Sequence, residues 1–266
     1  MRRLTARQKC EWEERGFFLI KDFAEIETCR AMQEKVIDLV RRSSAGESIL
    51  PAFVQMESKL SGSVKAPEER ISKLFRVHRE VSLFRDFACH SALADLLQDL
   101  LGPDLDCFLS QFIFKFPGAL GQPWHQDAFY FRFDRGPQVG IWLAVSDARM
   151  ENGPLWVLPG SHREPVHEVV PDRREHANLG YVEIVDHDTR GEEVVLMQAG
   201  DLLVFHSHLF HRSTDNESDA MRAAMVYHFA CSQTRDLSMQ ELGFIPPNMD
   251  WMTVRRGGSE PPRGAP

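Results

Sequence analysis

The sequence has little cysteine and no long hydrophobic run. Its five cysteines are odd in number, scattered and without a Cys-x-x-Cys pair, which fits reduced thiols in a cytoplasmic protein rather than a disulfide framework. No stretch approaches the roughly 18 apolar residues of a membrane span. The basic N-terminus resembles the start of a signal peptide, but Gln8, Lys9 and Glu11 follow where its apolar core would stand. We therefore expect a cytoplasmic protein without a membrane partner.

Positive charge is also scarce. The 31 lysines and arginines are outnumbered by 39 acidic residues, so the formal net charge is −8, and no basic block offsets this balance. The composition therefore argues against nucleic acid as the main partner. The Gly-x-Ser-x-Gly, His-Glu-x-x-His, phosphate-loop and dinucleotide-binding motifs are absent as well. A small molecule is the expected partner.

Periodicity divides the chain into a helical part, about residues 1–104, and a part made of strands, about residues 105–235. At 43% hydrophobic residues in a chain of 266, a sizeable core can form. The expected elements of the helical part are a helix capped by Thr5 that runs through Arg15 and ends at Gly16, a strand at Phe17–Ile20, and helices at Ile26–Arg42 and from about Ser82 to Leu101.

The second part has the period of two that is typical of strands. In Phe108–Phe116 the four phenylalanines share one face, whereas Gln111 and Lys115 lie on the other. Turn signals separate further predicted strands at Val139–Val145, Leu155–Leu158, Glu193–Met197, Asp201–His206 and Arg222–Cys231. Many short strands after a helical start predict a mainly β protein, in which a β-barrel or jelly roll is wrapped by helices.

Three stretches are expected to lie outside this core. Ser43–Ala66 contains two Ser/Gly clusters, which predict a loop or mobile flap. Ser161–Glu192 is long and rich in charge, and we expect it to cross the mouth of the barrel. Arg255–Pro266 is rich in Pro, Gly and Arg, which predicts a disordered tail. The remaining residues 1–254 are predicted to form one domain.

Trp124-His-Gln-Asp127 supplies the first candidates for a chemical function. His125 and Asp127 are two positions apart, so on an extended segment both side chains point the same way. Together with a second imidazole they make the ligand set of a non-haem Fe(II) oxygenase, which leaves open positions for a co-substrate and dioxygen. The alternative, for the pair alone, is a histidine and an aspartate at the exposed end of a strand.

The second imidazole has three candidates. His206 ends the apolar run Leu202–Phe205, which is typical of a hydrogen-bonded strand residue, and His208 has no distinguishing neighbour. His211 opens a polar turn, and Arg222 follows eleven residues later on a new strand. We favour His211 on this pattern.

Arg222 opens the otherwise apolar run Arg222–Phe229. A guanidinium inside a barrel needs an anionic partner, because an unpaired buried charge is costly. That partner is either a carboxylate of the protein or a bound dicarboxylic co-substrate, which the planar guanidinium can grip by two parallel hydrogen bonds. Ser213, two residues after His211, could add a hydroxyl donor to the same anion.

The sequence resembles the phytanoyl-CoA dioxygenase family of Fe(II)/2-oxoglutarate oxygenases. The motifs that carry the resemblance extend over most of the chain: Gly16–Phe23, Ile71–Lys73, Trp124–Asp127 with Phe129–Phe131, Asn152–His162, Gly200–Asp201 with Phe205–Ser207, and His211–Arg222. The resemblance implies a double-stranded β-helix, a cupin-like jelly roll. It also implies Fe(II), 2-oxoglutarate and dioxygen as the reactants that accompany the substrate.

The resemblance further implies roles for single residues. The implied iron ligands are His125, Asp127 and His211. The distal carboxylate of 2-oxoglutarate would be held by Arg222 and Ser213. Weaker candidates near the co-substrate are Gln126, Trp142 and Lys73.

Two positions refine this interpretation. Arg212 stands between His211 and Ser213, where the family usually has a glycine with a freer backbone. It adds charge near the mouth of the site and points to an anionic substrate. Family members that halogenate replace the metal carboxylate by a small residue, and Asp127 fills that position here. Halogenation is therefore not expected.

The predicted function is an Fe(II)/2-oxoglutarate-dependent dioxygenase that hydroxylates a small organic substrate and converts 2-oxoglutarate to succinate and CO2. One alternative keeps the chemistry but ends in desaturation, epoxidation or cyclisation of a natural product. Another is a non-redox, cupin-like metal-binding isomerase or ligand-binding protein. Such a protein would have no use for Arg222 as a clamp for 2-oxoglutarate.

Overall fold

The computed structural model describes residues 3–60, 62, 66–238, 240 and 250–257. The helices within these residues are α1 Ala6–Arg15, α2 Ile26–Ser44, α3 Ser82–Ala88 and α4 Ser91–Leu101. The strands are β1 Phe17–Ile20, β2 Phe53–Met56, β3 Ile71–Phe75, β4 Leu105–Lys115, β5 Val139–Ala144, β6 Leu155–Val157, β7 Val170–Pro171, β8 Val182–Glu183, β9 Glu193–Val195, β10 Leu202–His206, β11 His211–Ser213, β12 Arg222–Cys231 and β13 Met252–Arg255.

The larger sheet is the middle layer of the fold. Its antiparallel strands are ordered β1-β10-β5-β12-β4-β3-β2, and β13 pairs with β4. Apolar side chains of α2, α3 and α4 pack on one face of this sheet. A second sheet, ordered β11-β6-β9, packs on the opposite face. Two antiparallel sheets packed face to face form the predicted jelly roll, so the fold class is confirmed.

In strand β12, alternate side chains face the helices on one side of the larger sheet and the second sheet on the other. Met225 and Tyr227 belong to the core under the helices, whereas Val226 belongs to the core between the sheets. Arg222 and His228 share the parity of Val226, because successive side chains of a strand alternate between faces. The long apolar strand thus presents its two polar side chains toward the space between the sheets.

The first helix forms as predicted. The backbone N–H of Gln8 donates to Thr5 Oγ1 at 3.2 Å, and the Gln8 side chain accepts from the Thr5 backbone N–H at 3.0 Å. This reciprocal pair satisfies N–H groups that have no partner within the first turn. Gly16 ends the helix at φ 81°, and an added Cβ would lie 2.6 Å from the ring of His162. Glycine meets both demands.

The predicted helix Ser82–Leu101 is wrong in its continuity, because the structure contains two helices there. His90 lies between α3 and α4 with an extended backbone, ψ 130°. The break lets Phe84 of α3 and Leu93 of α4 both reach full burial in the same core. Burial of two apolar faces therefore overrides the helical periodicity of the intervening residues.

The shared face predicted for the phenylalanines of β4 holds for Phe112 and Phe114, which are buried in the core. It is wrong for Phe108. The pairing of β4 with β12 shifts register between His228 and Phe229, so the extra residue Phe108 packs on Phe131 and Phe133 instead. A β-bulge changes which face a side chain occupies.

The stretches outside the core contain more structure than predicted. Ser43–Ala66 includes the end of α2 and strand β2, which pairs with β3. Ser161–Glu192 contains the short pair β7–β8. Arg255 ends β13 and pairs with Asp95 at 2.9 Å. The rest of the predicted disordered tail, from residue 258 on, lies outside the described residues.

Candidate metal centre

His125 and His211 are direct partners in an isolated antiparallel bridge. Each backbone N–H donates to the carbonyl of the other residue at 3.0 Å. Side chains that face each other across such a pair project to the same side of the ladder. The two imidazole centroids consequently lie 4.1 Å apart. The backbone pairing brings together two histidines that are far apart in the sequence.

Each of these imidazoles is oriented by a backbone carbonyl two residues earlier. His125 Nδ1 lies 2.8 Å from the carbonyl of Pro123, and His211 Nδ1 lies 2.9 Å from the carbonyl of Leu209. A carbonyl only accepts, so both Nδ1 atoms carry the proton and both Nε2 lone pairs stay available. Ligand histidines in metalloproteins are oriented by contacts of this kind.

Asp127 completes the cluster. It begins a short 3-10 turn, Asp127–Phe129, and its Oδ1 lies 3.7 Å from Nε2 of His125 and 3.7 Å from Nε2 of His211. One ligand atom from each residue falls within 4.8 Å of the others, and all three residues are buried. Two imidazoles and one carboxylate are the donor set that non-haem iron takes in oxygenases, so these residues fit an iron ion.

The protonation of the cluster suits a cation. Burial, with a further contribution from His211, lowers the pKa of His125 to about 3. Burial alone would raise the pKa of the Asp127 carboxyl, but His211, His228 and His125 outweigh it, so that pKa is lowered. At neutral pH the metal-free site therefore holds a neutral His125 imidazole and an ionised carboxylate, the forms that bind metal.

A cavity of about 290 Å³ opens beside the three residues. Its wall includes Trp142, Ser213 and Arg222, which come from three different strands, together with Lys73 and Lys115. Among the cavity-lining residues that the structure describes, Asp127 is the only carboxylate. The wall therefore presents several cationic side chains to whatever occupies the cavity.

Arg222 is 1% exposed, yet two of its donors are unused. Its Nη2 donates to the carbonyl of Gly153 at 2.8 Å, whereas Nε and Nη1 are buried without a partner among the described residues. Burial lowers the pKa of Arg222 to about 10, so it is charged at neutral pH. Its guanidinium lies 5.4 Å from the ring centroid of Trp142. Two free donors on a buried cation fit a carboxylate.

Ser213 and the two lysines surround the same region. Lys115 Nζ donates to Ser213 Oγ at 2.9 Å and to the carbonyl of Thr214 at 2.6 Å. The backbone N–H of Gln122 donates to the same Ser213 oxygen at 3.0 Å. Lys73 Nζ donates to the Gln122 side chain at 3.0 Å. Ser213 already accepts two hydrogen bonds, so its own hydroxyl proton remains to be donated.

The structure does not bring every candidate residue to the cavity. Gln126 is fully buried on the other side of the backbone, where its amide donates to the carbonyls of Pro165 and His208 at 3.0 Å each. The alternation that points His125 and Asp127 toward the metal site turns Gln126 away from it. The amide of Gln126 instead holds two neighbouring loops in place.

Arg212 also lies outside the residues that line the cavity. Its guanidinium lies over the rings of Trp124 and Trp156, at 5.3 and 5.0 Å from their centroids, and pairs with Glu192 at 3.2 Å. These contacts satisfy its charge within the protein. The suggestion of an anionic substrate from Arg212 therefore has no support in the structure.

Two basic residues of the cavity wall were not predicted as site residues. Lys115 was recognised only as the polar face of β4, and His228 was taken as part of an apolar strand. Both are buried, and both line the cavity. In the sequence, each is a polar residue at one of the alternate strand positions that face the space between the two sheets. This pattern indicates a site residue only when Arg222 is known to face the same space.

Ser43–Ala66 and Ser161–Glu192, two of the stretches expected outside the core, meet at the mouth of the cavity. The Gln55 side chain donates to the carbonyl of Leu179 at 2.6 Å, and the backbone N–H of Ser58 donates to Asn178 Oδ1 at 2.8 Å. Tyr130 Oη donates to the carbonyl of Gly180 at 3.1 Å. Gln55, Leu179 and Gly180 line the cavity, so both stretches form part of its wall.

The chain belongs to the phytanoyl-CoA dioxygenase family, whose model matches residues 12–224. A curated relative, Phytanoyl-CoA dioxygenase 1 of Oryza sativa subsp. japonica, is 26% identical, and the match covers 89% of this chain and 92% of the relative. No helix of the described residues combines the length and hydrophobicity needed to cross a membrane.

Solved structures share the fold. EctD from S. alaskensis, determined with 2-oxoglutarate and 5-hydroxyectoine, has a TM-score of 0.67 at 19% identity, over 88% of this chain and 78% of that chain. SnoK, a non-haem α-ketoglutarate-dependent carbocyclase from nogalamycin biosynthesis, has a TM-score of 0.67 at 17% identity, over 94% of this chain and 96% of that chain.

Proposed function

We propose that the protein is an Fe(II)- and 2-oxoglutarate-dependent oxygenase that hydroxylates a small organic substrate. The observation that carries the proposal is the buried Arg222, in the same cavity as His125, Asp127 and His211. Two of its nitrogen atoms have no hydrogen-bond partner among the residues that the structure describes. A metal-binding cupin that needed no dicarboxylate would gain nothing from burying such a cation. The cost of that burial is offset when a carboxylate occupies the free donors.

The residues divide into two groups around the cavity. His125, Asp127 and His211 would hold the iron, and Arg222 with Ser213 would hold the distal carboxylate of 2-oxoglutarate. Lys115 supports this second group, because it donates to Ser213 Oγ and lines the same cavity. Trp142 lies against Arg222 and shields it from water, which strengthens the ionic contact.

When bound at these residues, iron, 2-oxoglutarate and dioxygen would supply the oxidising power for insertion of oxygen into a C–H bond of the substrate, with succinate and CO2 as the co-products. The protein supplies orientation and exclusion of water. Gln55, Leu179 and Gly180 close the mouth of the cavity from two sides. Tyr130 joins this wall through its hydrogen bond to the carbonyl of Gly180.

The family and the structural neighbours support this chemistry. The EctD structure contains 2-oxoglutarate and the hydroxylated compound 5-hydroxyectoine, and SnoK is an α-ketoglutarate-dependent carbocyclase. The same iron and co-substrate therefore serve reactions with different products. Desaturation, epoxidation or cyclisation would use the same residues of this chain, and product analysis distinguishes them from hydroxylation.

The test is succinate formation by the purified protein with Fe(II), 2-oxoglutarate and dioxygen. Slow turnover without substrate is expected in the parent, and an Asp127→Ala variant should produce no succinate. Panels of acyl-CoA esters, amino acids and natural products, screened by mass spectrometry for a gain of one oxygen atom, would then identify the substrate. If the iron-loaded parent neither binds nor consumes 2-oxoglutarate, the proposed function is wrong.

A further inference from the structure

His228 is a fourth polar residue beside the three candidate iron ligands. It lies on β12, six residues after Arg222 on the same face, and is 2% exposed. It lines the cavity, but it is not part of the cluster whose ligand atoms fall within 4.8 Å of one another. A buried imidazole in this place needs another role than direct coordination.

The two carboxylate oxygens of Asp127 face different neighbours. Oδ1 lies 3.7 Å from Nε2 of both His125 and His211. Oδ2 lies 3.7 Å from Nδ1 of His228. The side on which a metal would meet the two ligand imidazoles is therefore the side of Oδ1, and His228 occupies the side of Oδ2.

Gln111 determines which nitrogen of His228 carries the proton. Gln111 Nε2 lies 3.3 Å from Nε2 of His228. An amide nitrogen only donates, so the imidazole must accept at Nε2. A neutral imidazole then has its single N–H on Nδ1, the nitrogen that lies 3.7 Å from Oδ2 of Asp127. The rings of Phe108 and Phe131, with centroids 5.8 and 5.0 Å from that of His228, fix the plane of the imidazole.

We propose that His228, in the tautomer selected by Gln111, is a positioning residue whose Nδ1–H faces Oδ2 of Asp127 across 3.7 Å and attracts that oxygen away from the metal, which leaves Oδ1 as the single metal-binding oxygen. The proposal rests on the iron site of the proposed function. Its consequence is that Asp127 binds through one oxygen rather than two, which preserves open positions on the metal for co-substrate and dioxygen.

The test measures Co(II) binding to the metal-free protein without 2-oxoglutarate or turnover. His228→Leu removes the N–H at similar size, and we expect about 10- to 100-fold weaker binding, as for other contacts that orient ligands. The visible absorption of bound Co(II) should change as well, because Asp127 would be free to bind through both oxygens. His228→Asn keeps an N–H near the position of Nδ1 and should recover most of the affinity and the parent spectrum.

Gln111→Leu removes the donor to His228 Nε2, so that either nitrogen of His228 can carry the proton. This variant should weaken Co(II) binding less than His228→Leu does. His78→Gln removes a buried histidine elsewhere and should retain the parent affinity and spectrum. The Tm of each metal-free variant shows whether a loss of Co(II) affinity comes from a positioning effect or from reduced stability of the fold.

The proposal is overturned if His228→Leu keeps the parent Kd and spectrum, or if His228→Asn loses as much affinity and Tm as His228→Leu. A parent that binds Co(II) but never consumes 2-oxoglutarate would overturn the proposed function alone.

Discussion

Lys115 and Arg222 are direct partners across the antiparallel pair β4–β12, and both side chains are buried in the wall of one cavity. Like charges in this relationship repel each other. Burial, and then the charge of Arg222, lower the pKa of Lys115 well below its usual value. An anion between them would relieve both the repulsion and the loss of hydration. The proposed binding of a carboxylate in this cavity would therefore be favoured by the pair.

The first prediction tests this pair through Arg222→Ala. Removing one partner of a buried charge pair costs about 2–5 kcal/mol, so 2-oxoglutarate should bind roughly 30-fold to several thousand-fold more weakly. Arg222→Lys should recover only part of the loss, because an ammonium cannot give two parallel hydrogen bonds. The measurement is an anaerobic titration of the Fe(II) protein with 2-oxoglutarate, followed by the metal-to-ligand charge-transfer band.

Arg212→Ala is the matched control, because Arg212 pairs with Glu192 outside the cavity. It should leave the affinity for 2-oxoglutarate unchanged. Iron content should survive in all three variants, since neither arginine is a proposed ligand. Parent-like affinity in Arg222→Ala would remove the proposed co-substrate site.

The second prediction concerns the metal ligands. His125→Ala, Asp127→Ala and His211→Ala should each lose stoichiometric iron and all turnover, because three protein ligands leave no spare. His206→Ala and His208→Ala should retain iron. His206 packs against Trp12 at 5.5 Å between ring centroids, and His208 Nδ1 contacts the carbonyl of Glu164 at 3.1 Å. Metal analysis after dialysis decides the point. Iron loss in His208→Ala with retention in His211→Ala would show that the third ligand is misassigned.

A third prediction concerns the cover over the cavity. Asn178 is buried, accepts from the backbone N–H of Ser58, and donates to Glu57 Oε2 at 2.8 Å and to Ser72 Oγ at 3.3 Å. Asn178→Ala would leave the Glu57 carboxylate without this donor, a loss of about 1–3 kcal/mol. We expect faster proteolysis within residues 53–58 and 178–181.

Adding 2-oxoglutarate and substrate should slow this proteolysis in the parent more than in Asn178→Ala. The control is Arg190→Ala in the same outer stretch, because Arg190 pairs only locally with Asp188. Equal cleavage of Asn178→Ala and the parent would mean that the contact does not hold the cover closed.

The fourth prediction is a pH dependence that comes from His78. His78 is fully buried, with Nδ1 2.6 Å from Ser110 Oγ, and its Nε2 has no partner within the described part of the chain. Burial, with Arg79 and Arg76, lowers its pKa from 6.5 to about 3. Between these values the unfolded chain binds the proton and the folded protein does not. The contribution of His78 to stability is therefore complete above pH 6.5 and is lost as the pH falls toward 3.

Each pH unit in this window should cost about 1.4 kcal/mol of unfolding free energy through His78. His78→Gln, which cannot titrate, should flatten the dependence by about that slope in urea unfolding measured at several pH values. The exposed His176→Gln is the control and should leave the slope unchanged. An identical slope in the parent and His78→Gln would contradict the prediction.

Much of the fold follows from local sequence signals. The Thr5 cap, the Gly16 end of α1 and strand β12 lie where the periodicity predicts them, because each depends on neighbours along the chain. The break at His90 and the change of face at Phe108 do not follow from local sequence signals. Both result from packing against distant strands, which a single sequence does not display.

The site residues likewise divide into those that the sequence predicts and those that only the strand pairing reveals. His125, Asp127, His211, Ser213 and Arg222 were proposed from spacing and resemblance, and the structure brings them to one cavity. Lys115 and His228 were missed, although their parity is correct, because pairing of β4 with β12 is needed to place them beside Arg222. Gln126 was proposed as a neighbour of two ligands, but proximity along the chain does not place it in the cavity.

The backbone bridge between His125 and His211 has a consequence for how this protein can vary. The spacing of the two imidazoles depends on hydrogen bonds between their own main-chain groups, so the chain between them does not set it. That intervening chain includes Leu179, Gly180 and Tyr181, which line the cavity. The outer stretch that holds these three residues, Ser161–Glu192, can therefore change in length or composition while the two imidazoles keep their separation. Under the proposed function, the residues that contact the substrate could therefore diverge while the metal ligands are retained.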